Sequence, residues 1–123
     1  MNEIEFALAT TNTLSSNQRL HHIVKAERTA NIRIWARVAM GSEGFTPMSH
    51  AHCFCYLSFS DNRRRDANNY WPTAKAVIDG FVDAGLLPDD DHLHLVGPDM
   101  RIDKSHGTRG IVKLRFEFTE ITK

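Results

Sequence analysis

The chain has 123 residues, with 15 basic and 15 acidic side chains and a formal net charge of zero. That length suits one domain with a core that needs no disulfide support. No apolar run approaches the ~18 residues of a membrane-spanning helix, and the N-terminal MNEIEFALAT is acidic where a signal peptide would be basic.

The zero total conceals a segregation of charge. Residues 19–65 hold eight basic and three acidic side chains, residues 66–99 one basic and seven acidic, and residues 100–123 six basic and three acidic. An acidic block between basic ones is what a cation site inside a polyanion-binding surface requires. Ordinary solvated charge would give the same counts.

In chain order, Ile4, Phe6 and Leu8 alternate with Glu3 and Glu5 and predict a strand over 3–9. The polar stretch TNTLSSNQRLHH reads as a loop. Residues 24–40 read as a helix, with Ala26, Ala30, Ile34 and Val38 recurring every four residues, Ile32, Trp35 and Ala39 beside them, and Gly41 as its stop. Residues 50–59 alternate as a strand, with Ala51, Cys53, Cys55, Leu57 and Phe59 on one face and His50, His52, Phe54, Tyr56 and Ser58 on the other. The second face is half aromatic, which predicts a central strand. Residues 72–84 read as a helix opened by Pro72, carrying Val77, Ile78, Phe81 and Val82 on its buried stripe and closed by Gly85. Leu93, Leu95 and Val96 suggest a short strand, followed by an extended piece and a turn up to Gly110. Val112, Leu114, Phe116 and Phe118 alternate with charged residues as the clearest strand. The order β-α-β-α-β-β predicts a single α/β (α+β) domain, a mixed sheet of about four strands with two main helices.

Cys53 and Cys55 are poorly spaced to bridge each other and point to a reduced, cytoplasmic setting. A zinc site from His50, His52, Cys53 and Cys55 conflicts with the alternation, which sends histidines and cysteines to opposite faces. His92 and His94 read as surface histidines.

The chemistry-bearing residues flank the second helix. Arg63, Arg64 and Arg65 run directly into Asp66, and Asp89, Asp90 and Asp91 follow the helix. Clustered carboxylates suit a hard divalent cation and adjacent arginines suit a phosphate. A helix over 72–84 is ~20 Å long at 1.5 Å per residue. Asp66 and Asp90 can therefore meet only if residues 86–90 fold back along it. Lys75 and Asp79 share a helical face. The plain reading of that pair is an exposed ion pair worth ~0.3–0.5 kcal/mol; the functional one sets Lys75 at a scissile phosphate.

The stretch RRRDANNYWPTAKAVIDGFVDAGLLPDDDHL, residues 63–93, resembles the RusA family of Holliday junction resolvases. The resemblance rests on Arg63–Arg65, Asp66, Asn69, Lys75, Asp79, Ala84-Gly85 and Asp89-Asp90 in that order, over roughly a quarter of the chain. Ser16-Asn17 is similar to a serine-asparagine element of the family. The likeness implies a homodimeric, Mg2+-dependent endonuclease that nicks branched DNA such as four-way junctions in paired, symmetric fashion. It implies that Asp66 and Asp90 bind metal, with Asp89 and Asn68 as further ligands, and that Lys75 is catalytic. Arg63, Arg64, Arg65, Asn69 and Lys75 would contact DNA. It also implies the return loop that brings Asp90 back toward Asp66. Two departures stand out. Asn68 occupies the place of a second motif carboxylate, and an asparagine oxygen ligates magnesium without charge. Tyr70-Trp71-Pro72 is inserted before Lys75, as in phage and actinobacterial members. A branched-DNA-binding protein of the same fold without cleavage is the alternative.

Overall fold

The computed structural model describes residues 2–103 and 107–121. Its elements are β1 (Asn2–Ala9), α1 (His22–Glu43), β2 (Ala51–Ser58), α2 (Trp71–Asp83), β3 (Leu95–Ile102) and β4 (Ile111–Glu120), with short 3-10 turns at Thr10–Asn12 and Ala67–Tyr70. This is the β-α-β-α-β-β order that the hydrophobic periodicity predicts, in one small α+β domain.

The four strands lie in the order β1-β4-β2-β3. β4 pairs antiparallel with β1 and with β2, while β2 and β3 run parallel. Parallel neighbours need a crossover, and α2 supplies it. Alternation settles the faces. Ile4, Phe6, Leu8, Cys53, Cys55, Leu57, Val112, Leu114, Phe116 and Phe118 are all buried. Burial pushes the Cys55 thiol up to about 12 and the Cys53 thiol higher still, so both are neutral. The opposite face carries Glu3, Glu5, His52, Phe54, Tyr56, Arg115 and Glu117 and stays partly or fully exposed. β3 is longer than the sequence suggests because the extended piece after Val96 continues it. Pro98 is tolerated there because β3 is an edge strand with an irregular register beside His52 and Phe54.

α2 is buried nearly all round, from Thr73 through Phe81. The Phe81 ring meets Phe116 edge-on at 5.3 Å and Phe118 at 6.2 Å, which seats the helix on β4. α1 packs chiefly against α2. Its buried row is Ile32, Ala36 and Met40, spaced at i, i+4 and i+8, not the predicted Ala26, Ala30, Ile34 and Val38. Ile34 and Val38 are 57% and 67% exposed. The choice follows from the helix crossing at Gly80. A Cβ there would lie 2.3 Å from the Arg33 carbonyl oxygen and 2.7 Å from the Ala36 Cβ, so only small residues let the two backbones meet. α1 also runs through Gly41 and ends at Gly44, which takes the positive φ of 75° that the stop requires.

Gly80→Ala would drive a methyl into the α1 backbone. The gain in helix propensity of ~1 kcal/mol does not offset this. Urea unfolding should show a net loss of about 1–3 kcal/mol; an unchanged or raised stability would contradict the close crossing.

Candidate active site

The chain leaves β2 through residues 59–65 and enters the Ala67–Tyr70 turn. Asp66 caps that turn, its Oδ1 accepting the Asn68 N–H at 3.0 Å. The loop after β1 is strapped across the same corner. The Thr73 hydroxyl, fully buried, donates to the Leu14 carbonyl at 2.6 Å and accepts the Leu14 N–H at 2.7 Å. The Ser16 N–H donates to the Asn69 carbonyl at 2.8 Å, so the Ser16-Asn17 element lies beside the turn that follows Asp66.

Lys75 is the fifth residue of α2. Its ammonium donates to Asp79 Oδ1 at 2.6 Å and also to Asp90 Oδ2. The second contact requires the chain to double back after the helix, and the cause is local. Gly85 takes a φ of 102°, its N–H donates to the Val82 carbonyl at 2.9 Å, and the Leu86 N–H donates to the Phe81 carbonyl at 3.1 Å. Leu86 and Leu87 then bury at 0% and 2% exposure. Asp90 is thereby laid against the N-terminal half of α2, the half into which Asp66 leads. Asp91 instead serves its own turn, accepting the Leu93 N–H at 3.1 Å on Oδ1.

The plain reading of Lys75–Asp79 as a solvated pair is therefore too weak. One partly buried ammonium is shared by two carboxylates, whose side chains are 24% and 21% exposed. The hydrogen bond from Lys75, aided by Asp79, holds the Asp90 carboxyl down at about 2 despite burial. Burial pushes the Asp79 carboxyl up, helped by neighbouring Asp90 and opposed by Lys75. Burial alone would lower Lys75, but its bonds to Asp79 and Asp90 outweigh it and raise it. One ammonium thus lies between two carboxyl groups, with Asp89 adjoining.

The arginines occupy a neighbouring site. An open cavity of about 810 Å³ at the C-terminal end of β2 is lined by Phe59, Arg63, Arg64, Arg65, Tyr70 and Arg109, among others. Asp66, Lys75 and Asp90 do not line it. Asp61 bridges Arg65 at 2.8 Å and Arg63 at 3.2 Å, and its carboxyl is held far below the usual range, chiefly by Arg65. The Arg65 guanidinium lies 3.9 Å over the Phe59 ring. Arg109, Phe59 and Tyr70 carried no role in the sequence reading. Arg109 is brought there by the antiparallel pairing of β2 with β4, which puts the turn before β4 at the end of β2.

Magnesium takes hard oxygen donors and is commonly held by one or two carboxylates, with waters and substrate phosphates completing the shell. Asp66, Asp89 and Asp90 offer donors of that chemistry, and Asp90 needs no deprotonation at neutral pH. Among the described residues no group of three or more His, Cys, Asp or Glu side chains is placed to hold a metal ion. The structure brings Asp90 to Lys75 and Asp79 and leaves Asp66 as the cap of the preceding turn. The zinc alternative fails on geometry. Cys53 and Cys55 are buried under the helices, while His52 Nε2 lies 2.5 Å from Asp99 Oδ2 on the open face. His94 Nδ1 lies 2.8 Å from the Ser49 carbonyl oxygen.

No family model matches the chain, and no characterised protein matches it by sequence. Among the described residues no helix is long and apolar enough to cross a membrane.

The Asp90 shift carries a definite sign. Its folded value of about 2 lies below the ordinary ~3.9, so its contribution to stability is complete above about 4 and disappears as pH falls through about 2. Asp90→Asn should cost about 1 kcal/mol at pH 7, Asp79 remaining as partner to Lys75. The gap between wild type and variant should close between about pH 4 and pH 2. Urea unfolding across that range checks it, and a gap that persists at pH 2 would count against the contact.

Proposed function

We propose that this chain is a Mg2+-dependent endodeoxyribonuclease of the RusA type, resolving four-way junctions and related branched DNA by paired symmetric nicking as a homodimer. The observation that supports this reading most is the fold-back after α2, which sets Asp90 on Lys75 fifteen residues away and at the helix half that Asp66 leads into. Those are the residues that carry the resemblance.

In this reading Asp66 and Asp90 hold the ion, with Asp89 as a further ligand and Asn68 as an uncharged oxygen donor. When bound, magnesium supplies polarisation of the scissile phosphate, a water nucleophile and neutralisation of the leaving 3′-oxygen. Lys75 positions Asp90 and offers its ammonium to charge building on the phosphate. Arg63, Arg64, Arg65 and Asn69 grip flanking backbone, which makes binding fall with salt. A twofold dimer presents two such sites to the equivalent strands of a junction and leaves nicked duplexes with 5′-phosphate ends. The buried free thiols, Cys53 and Cys55, accord with a reduced cytoplasmic setting.

One observation favours a second reading, a branched-DNA-binding protein without cleavage. Asn68 stands where a carboxylate would add charge, and among the described residues no group of three or more His, Cys, Asp or Glu side chains is placed to hold a metal ion.

Cleavage of labelled branched DNAs separates the two. Asp66→Asn and Asp90→Asn should each lower cleavage in magnesium by at least about a thousandfold, comparable to loss of a key electrostatic group, with junction affinity retained in gel-shift assays. Excess chelator should stop cleavage by the wild type. Full activity in either variant, or in chelator, would refute the assignment; junction binding without cleavage by the wild type would select the second reading.

A further inference from the structure

We propose that the cavity at the end of β2 receives a single unpaired nucleotide of a DNA strand with its flanking phosphate. Arg64 and Arg109 hold the phosphate, and the flat surfaces of Arg65 and Tyr70 take the base. The inference rests on the DNA-directed reading above and adds to it a recognition site for the branch point itself.

Four observations carry it. First, the arginines divide into two kinds. Asp61 pairs with Arg63 and Arg65, whereas Arg64 and Arg109 have no ion-pair partner among the described residues. Two uncompensated guanidiniums lining one concavity are a fork for an anion.

Second, Arg109 is placed there by backbone geometry. The Gly107 N–H donates to the Phe59 carbonyl at 2.9 Å, the Ile111 N–H to the Thr108 carbonyl at 3.0 Å, and the Thr10 N–H to the Gly110 carbonyl at 2.8 Å. These bonds tie the turn before β4 to the ends of β2 and β1, so the convergence with Arg63–Arg65 is built into the sheet.

Third, the cavity has flat, preorganised walls. Arg65 lies on Phe59 at 3.9 Å and is pinned by Asp61, so its guanidinium is a fixed plate, only 17% exposed. Tyr70 packs on Phe59 with ring centroids 5.3 Å apart and also lines the cavity. Unpaired bases stack on aromatic rings and on guanidinium planes. A site for phosphate alone has no use for such walls.

Fourth, size and position agree. A volume of about 810 Å³ is in the range of small-molecule pockets and admits a nucleotide. A paired duplex presents a convex backbone and keeps its bases inside. Tyr70 both lines the cavity and directly precedes α2, which carries Lys75, so a strand with a phosphate at Lys75 can turn its neighbouring nucleotide inward.

The test uses the full-length chain in excess chelator, so that binding is read apart from cleavage. The probes are a fully paired four-way junction and the same junction with one unpaired 2-aminopurine at the branch. The wild type should prefer the unpaired probe by about tenfold, the scale of one stacked base, and should quench its emission. Arg109→Ala, at an exposed position where folding is not at stake, should abolish the preference and the quenching while changing affinity for the paired junction less. Tyr70→Ala should do the same and Tyr70→Phe should retain both. No preference in the wild type, or equal weakening on both probes in Arg109→Ala, would show that the arginines grip backbone only and would overturn the proposal. Preference and quenching without cleavage in magnesium would sustain the pocket while defeating the nuclease reading. No binding to either probe would defeat both.

Discussion

Two leucines decide where the acidic run goes. Leu86 and Leu87 follow the Gly85 reversal and bury almost completely. Full burial of a leucine is worth about 1.5–3 kcal/mol. A partly exposed ion pair is worth ~1 kcal/mol or less. The magnitudes assign the roles. Apolar burial folds the chain back along α2, and the Lys75–Asp90 contact only fixes the last few ångströms. The carboxylate is delivered to the lysine by the core and then tuned by it. Its low pKa is the electrostatic consequence of a position that hydrophobic packing has already set.

The same logic explains how a neutral chain presents two zones of opposite sign. The segregated charge blocks do not stay apart as they are in sequence. Pairing of β2 with β4 brings Arg109 to Arg63–Arg65, and the reversal after α2 brings Asp90 to Lys75. The Asp66–Tyr70 segment is the seam between them, with Asp66 capping the turn on one side and Tyr70 facing the arginine cavity on the other. The fold thus regroups the charge into a carboxylate-bearing cluster on α2 and an arginine-lined cavity at the end of β2.

The strands were legible because each has one buried face and period-two alternation leaves little choice. α2 was legible because apolar residues surround it. The buried side of α1 was not. Its apolar residues lie on more than one side, and the buried side is the one whose Ala36 meets Gly80 of α2. Gly41 misled for a related reason, since a helix tolerates glycine where its packing continues, and the stop falls at the glycine whose φ is positive. β3 was underestimated because its edge position tolerates Pro98, which reads as a breaker. In the candidate site the chemistry was readable in residue types. The depth of Lys75 and the recruitment of Arg109 were not, because both depend on contacts made across the fold by the Gly85 reversal and the sheet register.

This division has a consequence for how the site can be dissected. Arg109 sits in a turn tied down by backbone hydrogen bonds, and Asp90 follows the buried Leu86 and Leu87. Neutralising either of them removes charge and little structure. Phe59 and Leu86 are the opposite case: they carry no chemistry, yet Arg65 rests on one and the return of the acidic run depends on the other. Loss of function on removing a charge therefore speaks to chemistry. Loss on removing Leu86 would speak to the path of the chain, because a cavity at a fully buried leucine costs about 2–5 kcal/mol. That exceeds what the lysine contact could restore.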